Sequence, residues 1–281
     1  MGVCNWCKAE PSMNLEEKQK STYTHYKSPP QTTASSEKLS RKMLNPSSDP
    51  SRKLLQHFYN QNKLDIDPEI LIIYMEIIRG DHQSIKEVNL KFRNIAPKQS
   101  KFLSLIIPYC TELRKINIWR TNLGDEGIHH LTKSLIYLQN IIQISLDENN
   151  ISETGFSYFS KGLINLKKLK VLSLHQNEIG SQGSKALALA FKELWNLEEL
   201  YLDSTKLTND QLNNLTQGIS GIRSLKKLGL AYNLLDGKCI PLLRDFLEKM
   251  KIKELFLSGN QLTEGEAQML SESFSDINII A

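Results

Sequence analysis

The sequence predicts an α/β right-handed solenoid of seven strand–turn–helix repeats, behind a helical cap and an extended N-terminal tail. Three observations predict it. Aliphatic residues recur with a period of 28 through the last two thirds of the chain. An asparagine recurs where each strand would end. A helix-start residue followed by another apolar position closes most periods.

The chain opens with residues 1–50, whose Ser, Thr, Pro, Lys and Gln content predicts a disordered or partner-bound tail. Gly2 with Cys4 and Cys7 nearby suggests myristoylation and palmitoylation, and Lys8 fits, but Trp6 stands where that signal carries Ser or Thr. Cys4 and Cys7 have zinc-ligand spacing, yet no second pair follows and His25 does not complete a site, so no metal is expected. Ser28-Pro29 after Lys27 reads as a proline-directed phosphosite. Residues 51–84 predict a cap of two helices, about 52–62 and 68–79, the second with Asp67 as N-cap and Pro68 at its first position. No apolar signal segment opens the chain and no run spans a membrane, which predicts a reducing, cytoplasmic setting.

Residues 85–281 carry the repeat. It is anchored at Ile85, Leu113, Ile141, Leu169, Leu197, Leu225 and Ile252, each 28 residues after the last except the final step of 27. The fourth and sixth positions are aliphatic in every register (Leu200 and Leu202 in the fifth), the period of a half-buried strand. The ninth position holds Asn149, Asn177, Asn233 and Asn260, whose amides can both donate and accept where the strand turns. Thr121 and Thr205 can do part of that work, and Arg93 cannot. Ser152, Thr208, Asp236 and Thr263 are N-cap residues, and Thr263 with Glu266 forms a capping box. The eighteenth residue beyond each anchor, such as Leu131, Phe159 and Leu187, faces inward from a helix. Residues 276–280 read as a truncated eighth strand.

The third, fifth and seventh positions of each strand, with the second and eighth beside them, form the concave face. Lys86, Lys91, Arg114, Lys115 and Arg120 against Glu87 make its first stretch basic; Asp147, Glu148, Glu178, Glu198, Glu199 and Asp203 against Lys170 and Lys206 make the middle acidic; Lys226, Lys227 and Lys253 against Glu254 make the last stretch basic again. Phe92, Trp119, Tyr201, Tyr232 and Phe256 add aromatics, a residue class enriched at interface hot spots. A protein segment centred on Trp119, Arg120, His175 and Tyr201 is the expected ligand. Nucleic acid is not expected, since Asp147, Glu148 and Asp203 would repel it and the net charge of +4 mixes 35 basic with 31 acidic residues.

The chain carries no phosphate-cradling Gly loop, nucleophile elbow or zincin motif, so no cofactor and no catalysis are expected. His129-His130 reads as a solvated pair at a helix start, and Cys110 and Cys239 as small hydrophobes.

From Ile85 to Phe274 the pattern resembles the ribonuclease-inhibitor-like class of leucine-rich repeats. That resemblance implies a solenoid with helices on its convex side. Members of the class inhibit enzymes, cap filaments, activate a small GTPase, sense ligands or build cilia and centrosomes. A cap helix with Phe58 and Tyr59, then one begun by Pro68, is similar to the lead-in of ciliary and centrosomal members. The function so implied is a protein-binding adaptor or structural subunit, in a ciliary or other cytoskeletal assembly. A GTPase activator of the Ran-activating type and a lipid-anchored membrane adaptor are the alternative readings.

Overall fold

The computed structural model describes residues 53, 55–57, 59, 60, 66–95 and 97–281, all within one compact unit, residues 42–281. The expectations for residues 1–50, including those for Gly2, Cys4, Cys7, His25 and Ser28, lie outside the described residues. Of the first cap helix, residues 53, 55–57, 59 and 60 are helical.

Helix α1 (Pro68–Arg79) begins and ends where local chemistry dictates. The Asp67 carboxylate accepts the Glu69 N–H at 2.9 Å, and Pro68 occupies a position whose N–H would have no partner. Gly80 stops the helix at φ 96°, returning its N–H to the Glu76 and Ile77 carbonyls. Tyr74 on its buried face meets the rings of Tyr59 at 4.9 Å and Phe102 at 5.5 Å.

Strands and helices then alternate: β1 (Glu87–Asn89), α2 (Pro97–Ile106), β2 (Lys115–Asn117), α3 (Gly124–Leu135), β3 (Gln143–Ser145), α4 (Glu153–Leu163), β4 (Val171–Ser173), α5 (Gly180–Phe191), β5 (Glu199–Tyr201), α6 (Asn209–Ile219), β6 (Lys227–Gly229), α7 (Ile240–Lys249), β7 (Glu254–Phe256), α8 (Glu264–Ser273) and β8 (Asn278–Ile280). The eight strands form one parallel sheet in chain order. Its register follows the fourth position, Val88 beside Ile116 beside Ile144 and on to Leu255 beside Ile279. Residues 278–280 are therefore a strand of the same length as the others, not a remnant. No repeat can cover its own apolar face, and the fourth, sixth and eighteenth positions are buried from end to end.

Helix starts use the expected caps. Ser152 and Asp236 accept N–H groups two residues on, and Thr208 and Thr263 each close a capping box. His129 and His130 differ from expectation: α3 starts at Gly124, which puts them mid-helix. Packing against α4 lays the His129 ring 4.5 Å from Tyr158, and the His130 side chain is only 12% exposed. Among the described residues no helix is long and apolar enough to cross a membrane.

Candidate protein-binding face

The face is set by how each strand ends. Each strand is three residues long, and three residues after each of β1 to β7, at the eighth position, the backbone turns left-handed: Phe92, Arg120, Glu148, Gln176, Ser204, Tyr232 and Gly259 have φ between 51° and 72°. That turn aims the ninth side chain into the stack. Asn177 Oδ1 accepts the Asn149 and Ile151 N–H groups of the preceding repeat, both at 3.1 Å. Its Nδ2 donates to the Leu146 and Leu174 carbonyls, at 2.9 and 3.1 Å. Asn149, Asn233 and Asn260 bond in the same pattern, so these amides bridge neighbouring repeats. Thr121 and Thr205 add hydroxyl bonds to the amide of the next repeat. Arg93, in the same column, turns outward to pair with Asp67 at 3.1 Å and Glu69 at 3.0 Å, tying repeat one to α1.

The predicted site residues divide into three groups. At the β1–β2 end, Phe92 is 45% exposed and its ring lies 4.7 Å from that of Trp119, at an interplanar angle of 51°. The Trp119 indole N–H donates to Glu148 Oε1 at 3.2 Å, and Arg120 reaches the same carboxylate at 3.8 Å. Lys115 is exposed on β2, four residues before Trp119.

The middle group departs from expectation. Asp147 is buried: it accepts the hydroxyls of Ser145 and Ser173, both at 2.6 Å, and the His175 N–H at 2.8 Å. Its carboxylate satisfies the next repeat's backbone instead of facing a ligand. Asp203 likewise accepts the Ala231 N–H at 2.8 Å and sits 2.9 Å from His175 Nδ1. Tyr201 is buried with its ring 5.6 Å from His175, and its hydroxyl donates to Glu199 at 2.8 Å. Burial disfavours a charged His175, but the Asp203 hydrogen bond and the Asp147 and Asp203 charges together outweigh it, so its pKa is raised. Two serines, a histidine and two aspartates thus meet, but both serine hydroxyls donate to Asp147 and neither donates to the imidazole.

The acidic stripe is also largely self-neutralised. Lys170 pairs with Glu198 at 2.7 Å, Glu198 pairs with Lys226, and Lys206 with Glu178 at 2.7 Å. The two lysines hold the Glu198 carboxyl down at about 2.

At the far end Tyr232 is 67% exposed and its ring rests on Gly259, where any Cβ would come within 2.4 Å of it. Phe256 is half-buried on β7. Sequence reasoning passed over Leu234, 47% exposed two residues after Tyr232, and Gly229, whose missing side chain leaves room for the Asp203 carboxylate. The one signal for the Tyr232 seat is that Gly259 is the only glycine in the eighth column.

Cys110 and Cys239 are buried, and burial pushes their thiols up to about 12 and about 11. Among the described residues no cluster of His, Cys, Asp and Glu is placed to hold a metal ion.

No family model and no curated protein matches the chain. Among solved structures it is similar to a tropomodulin C-terminal domain from Caenorhabditis elegans, with 18% identity and a TM-score of 0.42 over 50% of this chain and 84% of that one. It is also similar to the leiomodin-1 actin-binding site 2, with 17% identity and a TM-score of 0.43 over 54% of this chain and 88% of that one.

Proposed function

We propose that the chain is a protein-binding adaptor or structural subunit of a larger cytoplasmic assembly, and that it binds through the strand face of a leucine-rich-repeat solenoid. The observation that carries this is the Phe92–Trp119 pair, held half open to solvent by Glu148 on a rigid sheet. Exposed aromatics in fixed orientation lose little freedom on binding, which makes them anchors. Tyr232 on its glycine seat is a second anchor at the other end. His175, Tyr201 and Asp203 form a bonded floor between the two. In this reading the repeats number seven and are of the ribonuclease-inhibitor-like class, residues 51–84 cap the stack, residues 1–50 are a disordered or partner-bound tail, and the setting is cytoskeletal or ciliary.

Affinity capture from the native source, read by mass spectrometry, tests the face. Trp119→Ala is expected to weaken the specific partner by about 2 kcal/mol or more, as a hot-spot truncation does. Lys185→Glu, an exposed charge on α5, is expected to leave it bound. The reverse pattern would move the working surface to the helices and defeat the proposal.

A further inference from the structure

We infer that the β1–β2 end of the strand face binds a short acidic protein segment bearing one hydrophobic side chain. This rests on the protein-binding reading above and supplies the chemistry of the partner.

The argument is one of charge pairing. Residues one repeat apart stand side by side on adjacent strands, and from β4 to β7 charged ones neutralise each other. Glu198 lies between Lys170 and Lys226 in the second column, and Lys227 meets Glu254 at 3.2 Å in the third. The same columns behave differently at β1 and β2. There the second column brings Lys86 beside Arg114, two cations, and the third sets Lys115 in register with Glu87 without closing an ion pair, so the two columns carry three cations against one acid. Lys86, Lys91, Arg114 and Lys115 are all exposed, and none has an ion-pair partner among the described residues. Glu87 is the one acid among them, and it too is unpaired in these contacts. Glu148, the nearest acid of the third repeat, is already used by the Trp119 indole and Arg120.

This excess of positive charge lies in the same two repeats as the aromatic pair, and one of its members reaches the rings. Phe92 lies under the Lys91 ammonium, 5.8 Å from the ring centroid, and packs against Trp119. A segment that placed carboxylates over Lys115 and Arg114 would set an apolar side chain onto the two rings. Charge and apolar surface would then be satisfied together. A nucleic-acid strand would meet the same cations. However, the two rings touch each other at 4.7 Å and are not parted to receive a base, and the Glu148 carboxylate sits on the Trp119 indole N–H.

The test uses fluorescence anisotropy on the full chain. Its probes are a labelled peptide with one Phe between pairs of glutamates, the same peptide with glutamines, and a single-stranded oligonucleotide of equal charge. The glutamate peptide should bind at least tenfold more tightly than the glutamine one, and lose about tenfold between 50 and 500 mM salt as exposed charges are screened. Arg114→Glu with Lys115→Glu should cost tenfold or more, and so should Trp119→Ala alone, while Lys185→Glu stays within twofold. Circular dichroism melts of each variant confirm that folding is retained, as expected for exposed or half-exposed positions. Equal affinity for the two peptides overturns the inference, as does an unchanged double variant. Tighter binding of the oligonucleotide through the same residues also overturns it. If the acidic peptide fails while capture of the native partner still depends on Trp119, only the acidic chemistry falls. If that capture ignores Trp119, the reading of the face falls whatever the peptide does.

Discussion

Single side chains in this protein are decided by what the neighbouring repeat offers them. The acids of the strand face show it: composition places Asp147 and Asp203 on an acidic stripe, yet each turns back to accept an N–H one repeat on. Sequence could not reveal that, because the left-handed eighth position beside those N–H groups is filled by Phe, Arg, Glu, Gln, Ser and Tyr before the one Gly at 259, and those six do not signal it. The asparagine column was legible because an amide carries an acceptor oxygen and two donor hydrogens on one short side chain, which suits that turn. Histidines give the residue scale a measurable readout. Burial first, then Lys133, His129 and Lys101, lower the His130 pKa to about 4, and the exposed Glu126 carboxylate at 3.8 Å is too loose to reverse that. Below pH 6.5 the unfolded chain therefore takes up a proton that the folded one refuses, so stability falls with pH until about 4. His130→Gln is expected to flatten that limb of a urea-midpoint profile, by on the order of 3 kcal/mol between pH 7 and pH 4. His175, with its raised pKa, acts with the opposite sign: its contribution is present below pH 6.5 and fades as pH rises through its folded value. A His130→Gln profile that parallels wild type would show that the imidazole is not held neutral.

At the scale of elements, spacing between helices is set by small residues in one column. Ser134, Gly162, Ala190 and Gly218 occupy equivalent positions on α3 to α6, 28 apart. A Cβ on Gly218 would lie 2.1 Å from the Ala188 carbonyl oxygen, and one on Gly162 would lie 2.9 Å from the Thr132 carbonyl oxygen. Those neighbours are backbone and cannot swing aside. Glycine here is a packing requirement, and its helix-propensity cost of about 1 kcal/mol is offset by close approach. Gly218→Ala would raise helix propensity in isolation. In this protein it is expected to lower stability by about 2 kcal/mol or more, since α6 must back away from α5. Thermal melts decide the sign, and a stabilised variant would mean that the helices are not in contact there. The repeat period was readable from the strands, whose aliphatic columns hold without a gap, whereas this small-residue column mixes Ser, Gly and Ala and is easily missed.

Across the whole stack, each repeat touches its neighbours, so stability should behave as a chain of nearest-neighbour terms. The Asn177-type bridges add directional bonds to that chain, each reaching back one repeat and no further. Arg93 supplies the corresponding link at the front, from repeat one to α1. One type of lesson should then have different consequences at different places. Leu202 and Leu257 hold the same sixth position, are both buried, and differ in the number of repeats stacked beyond them. Aspartate at either puts an unpaired charge into the apolar layer, a cost of several kcal/mol locally. Leu202→Asp interrupts the stack with repeats on both sides and is expected to abolish the cooperative urea transition. Leu257→Asp is expected to leave that transition in place with a reduced slope, because only residues after about 252 lose their neighbours. Hydrogen exchange separates the two outcomes: amides of β2 to β5 should stay protected in Leu257→Asp and lose protection in Leu202→Asp. If both variants unfold the entire sheet alike, the solenoid is a single cooperative block and the nearest-neighbour account is wrong.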